Sequence, residues 1–199
     1  MFSIDKQFAF IHIPNTAGSS ITTAIAGYCE HVPQSNITHA DSREARDMAF
    51  ASIKYQTDDN DRWQQQFHVD PEALKDVTNE TFVFAFVRNP YSRIISAFKS
   101  TCKPVTQLSD WLLSPITTQS ELLSDRVDYV GRYETLDADW EHVCRKIKIR
   151  HLKLPIVNAS IDVDYNWMEY LKTKEHYQIV NRLYHEDFVN FNYIKQHEI

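Results

Sequence analysis

Glycine is nearly absent. The 199-residue chain has three, Gly18, Gly27 and Gly131, and that scarcity excludes two nucleotide-binding plans at once. A triphosphate loop of the form G-x-x-x-x-G-K-[ST] cannot be built, because no glycine precedes Gly18 and Ser19, not Lys, follows it. The dinucleotide fingerprint G-x-G-x-x-G fails for the same reason, so ATP-dependent phosphoryl transfer is disfavoured. Cysteine is also sparse: Cys29, Cys102 and Cys144 are odd in number and far apart, with no C-x-x-C pair and no Cys/His ligand cluster. Neither a disulfide framework nor a zinc module is supported, and free thiols in a reducing compartment are expected. Positive charge is in deficit. Lys and Arg total 21 against 27 Asp and Glu, a formal net charge of −6, which argues against general binding of nucleic acid or of an anionic membrane. Any anion must be held by a local site. No apolar run approaches the ~20 residues of a membrane span, and residues 1–7 are too polar for a signal peptide. A cytoplasmic protein without a transmembrane segment is expected.

Hydrophobic residues make up 43% and charged residues 24%, a balance that supports a packed core. No repeat or Pro- or Gly/Ser-rich linker divides the chain, so residues 1–199 read as a single domain. Phe8-Ala9-Phe10-Ile11-His12-Ile13 is a short apolar run ended by Pro14, read as a buried strand with His12 as a satisfied core residue. After the turn Asn15-Thr16-Ala17-Gly18, residues 19–28 place Ile21, Ala24, Ile25 and Tyr28 at helical spacing. Residues 39–53 read as a second helix with Asp41 or Ser42 as its cap, and the polar residues 58–66 read as an exposed loop.

The strand-turn-helix plan then repeats. Phe82-Val83-Phe84-Ala85-Phe86-Val87 is an uninterrupted apolar run, which suits a strand covered on both faces. Arg88-Asn89-Pro90 breaks it, and Pro90 opens a helix where its missing N–H costs little; Ile94, Ile95, Ala97 and Phe98 form the buried stripe. A third strand is expected over 127–133, a helix over 137–147, and a mostly helical C-terminal part over 162–191. Alternating strands and helices imply an α/β fold with a central parallel sheet flanked by helices. In such sheets ligands sit beyond the carboxyl ends of the strands.

Both long runs end in unusual sequences. Pro14-Asn15-Thr16-Ala17-Gly18-Ser19-Ser20 opens a helix, and backbone N–H groups there, with the Thr16, Ser19 and Ser20 hydroxyls, suit a phosphate or sulfate. The alternative is an ordinary strand-to-helix turn with serine capping. Arg88 ends a buried strand, and Ser96 follows about two helical turns later, near enough to share a ligand with it. The alternative for Arg88 is a carboxylate partner; Arg93 reads as a solvated or structural residue. Tyr165, Trp167, Tyr170 and Tyr177 read as core aromatics before adenine- or sugar-stacking ones.

Four blocks, in order, carry a family resemblance. Phe10-Ile11-His12-Ile13-Pro14-x-Thr16-Ala17-Gly18-Ser19-Ser20 resembles the 5′-phosphosulfate loop of sulfotransferases that use 3′-phosphoadenosine 5′-phosphosulfate (PAPS). Phe86-Val87-Arg88-Asn89-Pro90-Tyr91-Ser92-Arg93-Ile94-Ile95-Ser96-Ala97-Phe98 resembles their 3′-phosphate segment. Asp128-Tyr129-Val130-Gly131-Arg132-Tyr133-Glu134-Thr135-Leu136 and Tyr184-x-x-Asp187-Phe188-x-x-Phe191-x-Tyr193 are similar to blocks of the carbohydrate branch. The resemblance implies a P-loop-like three-layer fold, PAPS as co-substrate with PAP as product, no metal, and a hydroxyl-bearing acceptor, commonly a carbohydrate. It implies that Pro14, Asn15, Thr16, Ala17, Gly18, Ser19 and Ser20 hold the phosphosulfate and that Arg88 and Ser96 hold the 3′-phosphate.

One departure stands inside the first block. The family usually has Lys where this chain has Asn15, and Asn donates a hydrogen bond without a charge to steady the leaving oxygen. Losing one preorganised donor costs ~100–1000-fold in rate, so the resemblance leaves open a slow enzyme, another cation in the role (Lys103 is one candidate), or a PAPS/PAP-binding protein without turnover. For the general base, the branch tends to place a His between the two phosphate segments. His39 fits that arrangement best and His68 is the runner-up, since a neutral imidazole, with an unperturbed pKa of ~6.5, can take a hydroxyl proton at physiological pH; a surface or capping role is the competing reading. Arg132 and Glu134 either pair with each other or shape the cleft. A small-molecule kinase is the rival enzyme, disfavoured by the missing Gly-Lys element. Acceptor choice is assigned to loops such as 58–66 and 104–123.

Overall fold

The computed structural model describes residues 1–196 apart from 4, 30–77, 79, 115, 124 and 156–165. The helix expected over 39–53 and the loop over 58–66 lie outside the described residues.

The two apolar runs lie side by side at the centre. β2 (Phe8–Ile11) pairs in parallel with β3 (Phe82–Val87), Phe8 opposite Phe82 and Ile11 opposite Ala85. β3 pairs in parallel with β4 (Tyr129–Arg132), Phe84 opposite Tyr129 and Val87 opposite Arg132. The sheet is not wholly parallel: β1 (Phe2–Ser3) adds an antiparallel edge, giving the order β1-β2-β3-β4. Residues 1–7 carry too little apolar alternation to signal that strand. Its pairing is made through backbone groups, with Phe10 N donating to Met1 O at 2.7 Å.

The period-2 pleat sorts the side chains onto two covered faces. Phe8, Phe10, Phe84 and Phe86 point to one face and pack with Ile21 and Ile25 of α1 (Gly18–Ile25) and with Trp140 and Val143 of α5 (Leu136–Lys146). Ala9, Ile11, Val83, Ala85 and Val87 point to the other, against Leu122, Leu123, Phe191 and Tyr193. This is an α/β sandwich with helical cover on both sides of a three-stranded parallel core, as in P-loop-like sulfotransferase folds. Gly131 is needed for closeness and not for conformational freedom: a Cβ there would stand 2.6 Å from the Phe86 ring.

α2 (Pro90–Ser100) follows β3 directly. Asn89 caps it by accepting from Tyr91 N at 3.0 Å, and Pro90 occupies its first turn. Its buried face, Tyr91, Ile94, Ile95 and Phe98, meets α3 (Leu108–Leu112), α6 (Lys174–Leu183) and α7 (His185–Asn190) in a third cluster. Trp167 stacks on Tyr91 at 4.7 Å and Tyr177 meets it edge-on at 5.6 Å, so these two aromatics belong to the core; Tyr165 lies outside the described residues. Residues 104–123 are not a plain loop. They carry a 3₁₀ turn (Val105–Gln107), α3 and α4 (Gln119–Leu122), the last started by a capping box in which Thr118 and Glu121 satisfy each other's backbone N–H. Leu108 and Leu112, one turn apart, bury that stretch, which is too short for its periodicity to stand out in the sequence.

Candidate functional site

The carboxyl end of β2 turns sharply. Asn15 (φ 67°) and Ala17 (φ 68°) both take the left-handed conformation, which Asn tolerates and Ala does not favour. Thr16 is fully buried and donates its hydroxyl to Ile13 O at 2.7 Å, so it shapes the turn from within instead of lining it. Gly18 is obligatory by closeness: a Cβ would sit 1.6 Å from Cδ2 of His12. His12 is therefore more than a strand residue, since its ring braces the start of α1. Ala17, at the N-cap of that helix, makes no side-chain cap bond, and no acid stands in the first turn. The first N–H groups of α1, with Ser19 half-buried beside them, face the turn with the positive end of the helix dipole.

The carboxyl end of β3 reaches the same turn. Arg88 is buried, its guanidinium lies 3.9 Å over the Tyr133 ring, and its Nη1 donates to Asn15 O at 3.4 Å across 73 residues of sequence. Ser96 Oγ donates to Asn15 Oδ1 at 3.4 Å across 81 residues. Asn15, Arg88 and Ser96 are thus brought together, while Pro14, Thr16, Ala17, Gly18, Ser19 and Ser20 form the adjoining turn and helix start.

Arg93 is not solvated. It is buried, and it ties the turn down by donating Nε to Pro14 O at 3.1 Å and Nη1 to Thr117 O at 2.9 Å. Burial lowers its pKa to about 10, with Asp187, Tyr184 and Glu121 pulling the other way, so it stays charged at neutral pH. Arg132 and Glu134 meet on Tyr193. Glu134 accepts from Asn89 N at 2.7 Å and from Tyr193 Oη at 2.8 Å, and the Arg132 guanidinium lies 4.9 Å over the Tyr193 ring. Lys103 is exposed beyond the C-terminal end of α2. His39 and His68 lie outside the described residues.

The family model described as the sulfotransferase family matches residues 1–125, a span that holds both the Asn15 turn and the Arg88–Ser96 segment. The chain belongs to the sulfotransferase family. No curated protein and no solved structure matches it. Membership makes sulfuryl transfer to a hydroxyl-bearing acceptor the chemistry of the fold. Among the described residues of this sulfotransferase, no group of three His, Cys, Asp or Glu side chains gathers as metal ligands, and no helix is long and apolar enough to cross a membrane.

Sequence reasoning missed Gln119, whose carboxamide pairs with both backbone groups of Arg88: it accepts from Arg88 N at 2.8 Å and donates to Arg88 O at 2.9 Å. Nothing local marks a glutamine for that task, because its partner is 31 residues away.

Proposed function

We propose that the chain uses PAPS to sulfate a hydroxyl of a carbohydrate or glycoconjugate. The observation that carries this reading is the convergence of Arg88 and Ser96 on the Asn15 turn, beside the start of α1. The donor set fits a ligand with two separate anionic groups: backbone N–H groups at a helix N-terminus for one, a guanidinium and a hydroxyl for the other. PAPS supplies a sulfuryl group, whose bond to the phosphate oxygen breaks as a bond to the acceptor oxygen forms. The turn holds the phosphosulfate, Arg88 and Ser96 hold the 3′-phosphate, and Tyr133 keeps the guanidinium plane in place. His39, with His68 as the second choice, takes the acceptor proton.

A calorimetric titration with PAP, and with ADP as the control, tests the two-anion site. Tight PAP binding with much weaker ADP binding supports it; equal affinities sink it. His39→Ala should abolish transfer while sparing PAP binding, and retained turnover would remove His39 from the role.

A binding protein without turnover is the second reading. Its support is Asn15, whose side chain is uncharged and engaged by Ser96.

A further inference from the structure

The block Tyr184-x-x-Asp187-Phe188-x-x-Phe191-x-Tyr193 lies beyond the residues that the family match covers. We propose that Asp187 and Tyr193 are positioning residues for Arg88, each gripping, through one intermediary side chain, the strand end that carries the guanidinium. The inference rests on the reading of Arg88 as the 3′-phosphate ligand.

The first line runs through Gln119. Asp187 is fully buried, and its carboxylate accepts four hydrogen bonds: from Gln119 N at 3.0 Å, Gln119 Nε2 at 3.3 Å, Ser120 N at 2.8 Å and Ser120 Oγ at 2.9 Å. So held, the equally buried Gln119 cannot rotate, and its carboxamide meets Arg88 N and Arg88 O as a neighbouring strand would. Val87 opposite Arg132 is the last pair of β3 with β4, so the glutamine extends the ladder by the one residue that matters.

The second line runs through Glu134 to the next residue. Tyr193 donates to Glu134 Oε2, whose other oxygen accepts from Asn89 N. Burial and the adjacent Glu134 raise the Tyr193 pKa, so the phenol remains a donor. A third line runs from Tyr184, which accepts from Ile116 N at 3.1 Å; next to it, Thr117 O takes Arg93, which holds Pro14 of the turn. Each polar member of the block therefore leads to a donor-holding segment. A long guanidinium side chain loses much conformational freedom on binding an anion, and fixing its backbone beforehand lowers that cost.

The test is calorimetry with PAP and ADP on the wild type, Tyr193→Phe and Gln119→Leu, each also in an Arg88→Ala background, with thermal melts in parallel. Tyr193→Phe removes one hydroxyl and keeps the ring, so it stays informative even where Gln119→Leu fails to fold. The expected result is a PAP affinity lowered about tenfold, equivalent to ~1.4 kcal/mol, with ADP affinity little changed. In the Arg88→Ala background the same substitution adds no further loss. A Tyr193→Phe protein with a lower melting temperature and an undiminished preference for PAP overturns the inference, because the block then serves stability alone. A wild type with no preference for PAP overturns the reading of Arg88 itself, a failure visible before any variant is measured.

Discussion

At Asn15, conformation and chemistry pull in different directions. The backbone there is left-handed, which suits Asn better than Lys, and the side-chain oxygen is an acceptor that Ser96 uses. A lysine would lose that acceptor and strain the turn by ~1 kcal/mol, but on the proposed function it would add a charged donor beside the leaving oxygen. Asn15→Lys is therefore expected to lower the melting temperature slightly and to raise kcat at least about tenfold, a fraction of what one preorganised donor is worth. Steady-state sulfation assays with a panel of sugar acceptors check this. A folded, PAP-binding variant whose rate is no higher would favour the binding protein over the slow enzyme.

Among the elements, the join of β4 to α5 rests on one carboxylate. Asp139, in the first turn of α5, accepts from Arg132 N at 2.8 Å, Tyr129 Oη at 2.8 Å and Thr135 Oγ1 at 2.6 Å. Burial raises its pKa, but these hydrogen bonds and Arg132 outweigh that, and the net shift is downward. A carboxyl with a folded pKa below its unfolded value of ~3.9 stabilises the fold above that value. The contribution is lost as the pH falls through the folded pKa. Asp139→Asn should thus be less stable than wild type at neutral pH and lose less stability on acidification. Denaturant melts over a falling pH series would show the two curves converging; parallel curves would exclude this role.

Taken as a whole molecule, the strands of one sheet supply both faces, so neither layer keeps its partner if the other unravels. The Phe-rich face contains Trp140, while Trp111 and Trp167 belong to the cluster built on α2. Unfolding followed by tryptophan fluorescence and by far-UV circular dichroism should give coincident transitions. Saturation with PAP at about a hundred times its Kd should stabilise the protein by ~2.7 kcal/mol. Two separated transitions would argue for two independently folding units. The net charge of −6 makes the local origin of anion binding the point at issue.

The two central strands, the helices they feed and the residues at their carboxyl ends were legible in the sequence, because hydrophobic period and turn chemistry are local properties. The runs at 8–13 and 82–87 read as buried strands, and the structure has strands at Phe8–Ile11 and Phe82–Val87; the missing glycines excluded a triphosphate loop without any coordinates. Only the tertiary structure decided how Arg88 is held. Its supports, Tyr133, Gln119, Glu134 and Asn15, stand far along the chain from Arg88, and their side chains carry no signal until folding makes them its neighbours. The same holds for the antiparallel edge strand and for Arg93, whose burial follows from carbonyls at Pro14 and Thr117 that the sequence does not place beside it. Periodicity is written residue by residue; the meeting of distant polar groups is set by how the elements pack.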